Sequence, residues 1–301
     1  IPSDALALLR EARAMGAHIF AAASSYTPEG IDLGSRGFSV LSLPKVLLIT
    51  GPNTSAYSNG EVWHLLDTRV DMPITMVDSH RMGRVNLSNY SHVIMTSPLR
   101  SSGAVKQMEN FVKQGGILWA QGASTVAWAA DNGLADVTWR KTAQQTQAEE
   151  LKAAAKKGAS PREQAGKLPE RRSFASASDE FAFTLVRGAI LAGNLDVSHP
   201  LGYGYEAEEI AVFRTTNRFM NPSHNAYSSP VVYTDSPLLS GYMSEENQEL
   251  VANSAGLVVH ELGAGAVVLS LDSPTFRAFW WGSQRLLVNG IFFGDLLEEP
   301  R

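Results

Sequence analysis

The chain has 301 residues, a formal net charge of −5, 44% hydrophobic residues and 18% charged residues. This length allows one large domain or two small ones with a buried core, and the acidic balance argues against a nucleic-acid partner. The sequence has no cysteine, which excludes disulfides, thiolate metal sites and a cysteine nucleophile. No apolar run reaches the roughly 18 residues of a membrane helix, so we expect no membrane span.

The first 44 residues predict a helix followed by a connecting arm. Asp4 to Met15 show a helical apolar pattern that begins at a capping aspartate, and residues 24–44 are rich in Ser, Gly and Pro. We therefore assign residues 1–44 to a helix and arm, and residues 45–301 to an α/β domain. The chain begins with isoleucine, and we interpret it as a piece of a longer protein.

Between residues 45 and 130, short apolar runs alternate with helical patterns. The expected strands are 45–51, 74–77, 90–96 and 117–120, and the expected helices are 58–67, 103–114 and 123–130. Strands that alternate with helices at this spacing form a parallel sheet covered on both faces. The sequence therefore predicts an α/β fold with a three-layer, mostly parallel, doubly wound sheet of the flavodoxin-like type.

The pattern changes between residues 140 and 180, where alanine, glutamine and charged residues dominate. We interpret this stretch as a solvated helical insertion, with a surface helix over Thr142–Lys157 and partial disorder after it. The alternative is a basic patch that docks onto a partner. The core pattern then resumes with a helix or strand at 181–191, strands at 210–213 and 230–233, a hairpin of 257–262 and 266–270, and a terminal helix at 279–293.

Ligands of open parallel sheets bind beyond the carboxyl ends of the strands. Residues Asn53, Ser97 and Gln121 follow or end predicted strands, and His199 lies in a turn-like segment after Asp196. We expect Asn53, Ser97, Gln121 and His199 to line such a crevice. For His199 a capping role in the turn is the alternative.

The segment from Phe111 to Ala123 has the pattern of a nucleophile elbow. An apolar helix, two glycines, a short strand and a tight glycine turn into a helix would aim one side chain at the crevice. The aimed residue is Ala120, or Gln121 if the register differs by one. Neither is a nucleophile, and no G-x-S-x-G occurs elsewhere, so we expect no acyl transfer here.

The histidines show no metal-binding pattern. The spacing of His64 and Asp67 would place both on one helix face, which is more typical of a surface helix pair than of a metal site. His260 and Glu261 are adjacent on a predicted strand and point to opposite faces. We expect no metal site and no catalytic residue in this chain.

Three stretches resemble a known family. Gly115-Gly-Ile-Leu-Trp-Ala-Gln-Gly122 resembles the elbow of class I glutamine amidotransferase-like domains, and Asp196-Val-Ser-His-Pro-Leu-Gly-Tyr-Gly204 resembles a His-Pro turn of degenerate members. The ending, from Thr275 to Gly294, resembles the C-terminal region of large bacterial zinc carboxypeptidases of the carboxypeptidase A-like family. The resemblance covers the chain from about Pro44 to its end.

The resemblance implies a place in a larger metallopeptidase. It implies an N-terminal peptidase domain of the same polypeptide as partner, zinc in that domain, and a periplasmic or secreted location. We therefore expect a non-catalytic accessory domain that acts in packing, stabilisation or substrate presentation. One alternative is a module that binds a peptide, a glycan or another small molecule in the retained crevice. A second is a hydrolase with an atypical site of Asp, His or Glu groups.

Overall fold

The computed structural model of the chain describes residues 3–35, 38, 40–156 and 171–297. These residues belong to two compact units, residues 1–41 and residues 42–301. Within its described residues the first unit contains helix α1 (Ser3–Ala14), which matches the predicted helix from Asp4 to Met15. None of the α1 residues is buried. No helix in the described ranges is long and apolar enough to cross a membrane.

The second unit alternates strands and helices up to residue 131 and consists mainly of strands after residue 188. Its helices are α2 (Ala56–Thr68), α3 (Ser102–Lys113), α4 (Ala123–Asp131), α5 (Ala143–Lys156), α6 (Ala177–Thr184), α7 (Glu245–Val251) and α8 (Trp281–Phe292). Its strands are β1 (Val46–Thr50), β2 (Thr75–Asp78), β3 (His92–Met95), β4 (Ile117–Gln121), β5 (Trp139–Arg140), β6 (Ala189–Leu195), β7 (Glu209–Arg214), β8 (Phe219–Met220), β9 (Val231–Gly241), β10 (Ala255–Leu262) and β11 (Gly265–Ser270).

The strands form one mixed sheet in the order β2-β1-β3-β4-β11-β10-β9-β6-β7, with β5 and β8 attached beside β10. Pairings from β2 to β11 are parallel, and pairings from β11 to β7 are antiparallel. The α/β class is confirmed, but the sheet is mixed rather than mostly parallel. The reason lies in the connections: a parallel neighbour needs a long crossover, usually helical, whereas β6 and β7 are joined by a loop without an α-helix.

The predicted hairpin near the end of the chain is present. β10 and β11 pair in antiparallel register from Leu257 opposite Ser270 to Leu262 opposite Gly265. Gly263 forms the turn with φ of 74°, a left-handed conformation that glycine adopts without strain. This short turn also returns the chain to the parallel half, because β11 pairs in parallel with β4.

Alternate residues of the parallel strands β1, β3, β4 and β11 enter two separate hydrophobic cores. In β1, Leu48 belongs to the core beneath α2 and α8, whereas Leu47 belongs to the core beneath α3 and α4. Trp119 and Ala120 of β4 divide in the same way. Burial on both faces explains why these strands are continuous apolar runs instead of alternating ones.

The polar stretch after residue 140 contains the predicted surface helix. The helix expected over Thr142–Lys157 is α5, and its described side chains are exposed or half-buried. The stretch expected to be partly disordered falls largely on residues 157–170, outside the described residues. The expected helix or strand at 181–191 divides into the end of α6 and the start of β6.

His92 begins β3 and is almost completely buried. Its Nδ1 lies 2.8 Å from Ser91 Oγ. Gly294 packs so closely on the ring that a Cβ there would lie 2.5 Å from His92 Nε2. Burial lowers the pKa of His92 to about 4, against the opposing effect of the Asp295 carboxylate. The folded protein therefore holds this imidazole in its neutral form at neutral pH.

We predict that the free energy of unfolding falls as the pH drops from 6.5 towards about 4. The pKa of His92 is 6.5 in the unfolded chain and about 4 in the folded protein. On acidification the unfolded state therefore binds the proton first, and the stability that is fully present above pH 6.5 is lost. The loss from this group amounts to on the order of 3 kcal/mol. Urea unfolding measures the free energy of unfolding at each pH in this range. For His92→Gln the plot of this free energy against pH should be less steep than for wild type, by the uptake of about one proton.

The control is His224→Gln, which removes an exposed histidine and leaves His92 in place. This variant should keep the wild-type slope. An unchanged slope in His92→Gln would contradict the assignment.

Candidate functional site

The parallel strands β1, β2, β3, β4 and β11 all end at one edge of the sheet, which we call the carboxyl edge. The loops that follow β1, β3, β4 and β11 therefore meet there. Ligands of such sheets bind beyond this edge, and three of the four residues expected to line a crevice lie at it.

The elbow between β4 and α4 turns at Gly122. This residue has φ of 88° and ψ of 149°, and its N–H donates to Ser270 O over 2.8 Å. Its carbonyl accepts the N–H groups of Thr125 and Val126, both over 3.0 Å, so the helix starts directly behind the turn. A Cβ on Gly122 would meet no atom within 4 Å. The residue at the sharp turn thus faces open space and presents no side chain to it.

The two residues that the sequence placed at the elbow have other surroundings. Ala120 is fully buried in the core beneath α3 and α4 and cannot reach the carboxyl edge. Gln121 is 2% exposed, and its Nε2 donates to Ser273 Oγ over 3.0 Å. The sequence signal for the turn was the glycine itself, because a strained elbow requires a left-handed residue.

Ser273 links the elbow to helix α2. Its hydroxyl lies 3.2 Å from Glu61 Oε2 and 3.3 Å from Thr275 Oγ1, and Arg277 N donates to Glu61 Oε1 over 2.8 Å. Partial burial raises the pKa of Glu61, and these hydrogen bonds oppose the shift. The partners of Ser273 are an amide, a carboxyl group and a hydroxyl, which hold it in place but supply no imidazole base.

Asn53 and Ser97 both lie at the carboxyl edge. Asn53 follows β1 in a left-handed conformation with φ of 66°, which asparagine tolerates better than most residues. Ser97 follows β3 and accepts the N–H of Ser55, the cap of α2, over 2.9 Å. The structure thus brings the loops after β1 and β3 together through α2.

His199 lies elsewhere, which corrects its expected place in the crevice. It follows β6, which runs antiparallel to the neighbouring β9, so this segment leaves the sheet at the edge opposite the carboxyl edge. His199 Nδ1 accepts the N–H of Leu201 over 3.1 Å and caps the turn Pro200–Gly202. Burial lowers the pKa of His199. The capping role weighed for this residue is the one the structure shows.

Metal binding has no geometric support in the described ranges. No group of three or more His, Asp or Glu side chains there is arranged to hold an ion. His64 and Asp67 both lie on α2, as expected. Among the described residues, this pair has no third ligand that would complete a metal site.

A buried ion pair lies next to the loop that follows β11 at the carboxyl edge. Arg214, at the end of β7, is fully buried, and its Nη1 lies 3.1 Å from Asp272 Oδ2. The hydroxyl of Tyr233 donates to the same carboxylate oxygen, and Arg214 Nε donates to Thr216 O over 3.0 Å. Burial raises the pKa of Asp272, and the guanidinium opposes this shift. Because Asp272 directly precedes Ser273, the pair holds the loop that contacts the elbow.

Comparison with known proteins supports the fold alone. No protein-family model and no curated protein matches the chain. It is similar to the structure of a ThuA-like protein from Parabacteroides merdae ATCC 43184, with 13% identity, a TM-score of 0.54, and coverage of 86% of this chain and 92% of that one. ThuA-like proteins have the class I glutamine amidotransferase-like fold, so this chain shares that fold.

Two further similarities are weaker. A ThuA-like protein from Bacteroides uniformis ATCC 8492 shows 9% identity and a TM-score of 0.48, over 89% of this chain and 94% of that one. The exo-β-1,4-mannosidase of Opitutaceae bacterium strain TAV5 shows 13% identity and a TM-score of 0.43, over 83% of this chain and 36% of that one. We rest the fold on the first similarity. The carboxypeptidase part of the resemblance has no counterpart among these three proteins.

We predict that Asp272→Ala destabilises the protein by about 3–5 kcal/mol, because it leaves the Arg214 guanidinium buried without a carboxylate. Urea unfolding at neutral pH measures the loss. The control is Glu109→Gln, which removes the exposed ion pair with Lys113 and should leave the unfolding midpoint unchanged. A loss below about 1 kcal/mol for Asp272→Ala would show that the pair does not hold the loop.

Proposed function

We propose that this chain is a non-catalytic accessory domain. The observation that carries the proposal is the elbow, where the turn residue is Gly122 and a Cβ would find open space. Acyl transfer through such a turn needs a nucleophilic side chain at that position and a base beside it. Gln121 has no nucleophilic atom, and the hydrogen-bond partners of Ser273 are Gln121, Glu61 and Thr275, which supply no imidazole base.

The parent protein that we propose is a bacterial zinc carboxypeptidase. Support comes from the resemblance of residues 275–294 to the C-terminal region of such enzymes. The zinc would belong to a peptidase domain outside this chain, and the location would be periplasmic or secreted. For the fold we propose the finer assignment to a three-layer, doubly wound type, supported by the two cores on opposite faces of the sheet.

The partner that we propose for the first unit is this peptidase domain. Large apolar side chains stand exposed there, including Leu8 at 66%, Phe20 at 88% and Val40 at 94%. A 12-residue helix without buried residues is marginal by itself in water. Packing against a partner would cover the apolar residues and stabilise the helix.

We predict that the chain alone releases no C-terminal amino acid from peptides, with or without zinc, and no ammonia from glutamine. Chromatography of peptide products and an ammonia assay would measure both. Zinc-dependent peptidase activity in this chain would overturn the proposal. Activity that disappears in Glu61→Gln or Ser273→Ala would instead indicate a hydrolase with an atypical site at the elbow.

We predict that removing residues 1–41 leaves the urea unfolding of the remaining domain unchanged, because both hydrophobic cores consist of residues between 46 and 297.

The same truncation should abolish binding to the peptidase domain encoded upstream in the same reading frame, measured by titration calorimetry. Leu8→Ser with Phe20→Ser should weaken binding, whereas Glu11→Gln on α1 should not. An upstream frame without a His-x-x-Glu peptidase domain would refute this assignment.

A further inference from the structure

A cavity of about 610 Å³ opens at the carboxyl edge, away from the elbow. Its walls come from the loops after β1, β2 and β3 and from the start of α3. The chain passes from β1 to β2 on one side and then to β3 on the other side of β1. This reversal is a topological switch point, the place where open α/β sheets bind their ligands.

The cavity combines an apolar floor with a polar rim. Met82 and Leu99 are buried and form part of the floor. The rim contains Asn53, Arg100 and Ser101. Ser101 is the N-cap residue before α3, and its side chain makes no capping hydrogen bond there, so its hydroxyl can donate to a ligand. Sites for small molecules typically have this composition, with a few directed polar groups over an apolar surface.

The charge of the lining is positive. Arg100 supplies this charge, and no aspartate or glutamate lines the cavity. The nearby carboxylate of Asp78 is already engaged: it accepts the N–H of His80 over 2.8 Å and lies 3.2 Å from His80 Nδ1. Arg100 makes no ion pair within the described part of the chain. An unpaired guanidinium binds a carboxylate or phosphate through parallel N–H donors.

We propose that this cavity binds a small molecule that has an acidic group and an apolar portion. Arg100 binds the carboxylate or phosphate, with Ser101 and Asn53 as further hydrogen-bond donors. The apolar portion covers Met82 and Leu99. This site does not depend on the accessory role of the domain, since none of its lining residues belongs to the elbow or to the first unit.

The test uses the full chain and three matched probes: phenylacetate, phenyl phosphate and the neutral phenylacetamide. Backbone amide shifts are followed by NMR as each probe is added. We expect saturable shifts at residues 53–54, 79–83 and 99–104 with at least one anionic probe. The tighter of the two anions identifies the acidic group. Phenylacetamide should bind about tenfold more weakly or worse, since it lacks the charge that Arg100 recognises.

Two variants locate the site. Arg100→Gln should weaken binding of the anionic probe about tenfold or more. Gly83→Phe should abolish it by occupying the cavity, because Gly83 lines the cavity and a Cβ there meets no atom within 4 Å. Arg84→Gln is the control: it removes the same charge from an exposed position outside the lining, and should bind as wild type does.

Three results would each overturn the proposal. The first is no saturable shift with either anionic probe. The second is equal affinity of wild type and Arg100→Gln, or of the anions and phenylacetamide. The third is a set of shifts that lies outside the three loops. Unfolding of the variants does not confuse the result, because Arg100 and Gly83 are both exposed.

Discussion

The ion pair between Arg214 and Asp272 joins the two halves of the sheet. Burying two charges costs several kcal/mol for each ion, and close pairing with further hydrogen bonds must offset that cost. Here Tyr233 supplies one such bond to the carboxylate, and the carbonyls of Thr216 and Arg218 accept from the guanidinium. The pair thereby ties β7 and β9 of the antiparallel half to the end of β11, which belongs to the parallel half.

The same pair determines what the elbow can contact. Asp272 points into the protein, and the next residue, Ser273, binds Gln121 and Glu61 at the carboxyl edge. The loop after β11 therefore has one side in the buried network and one side against the elbow. A buried polar network whose members are hydrogen-bonded to one another favours one arrangement of the loop. The elbow keeps its shape although it presents no nucleophile.

The sequence predicted the first half of the sheet well because the relevant signals are local. An apolar run such as β1, followed by Gly51 and a capped helix, is recognisable without knowing its neighbours. The second half depends on distant pairings, such as Gly193 of β6 opposite Tyr233 of β9, and strand direction there has no local signal. That is why the sheet is less parallel than expected and why His199 lies at the wrong edge for a crevice.

Local sequence signals also do not determine which single residues form the candidate sites. Gln121 and Asn53 could be placed at strand ends from the sequence, but backbone dihedrals decide that Gly122 occupies the turn. The cavity beside β1 was outside the reach of sequence patterns, because Arg100 meets residues of two other loops there.

Hydrogen bonds within the lining loops hold the walls of the cavity beside β1 in place. Ser79 Oγ donates to Pro52 O over 3.0 Å, and Thr54 Oγ1 donates to Gly51 O over 2.6 Å. Neither bond involves the elbow or the loop after β11. The lack of a side chain at Gly122 therefore removes nothing that shapes this cavity, which lies at the switch point of the sheet, where open α/β sheets bind their ligands.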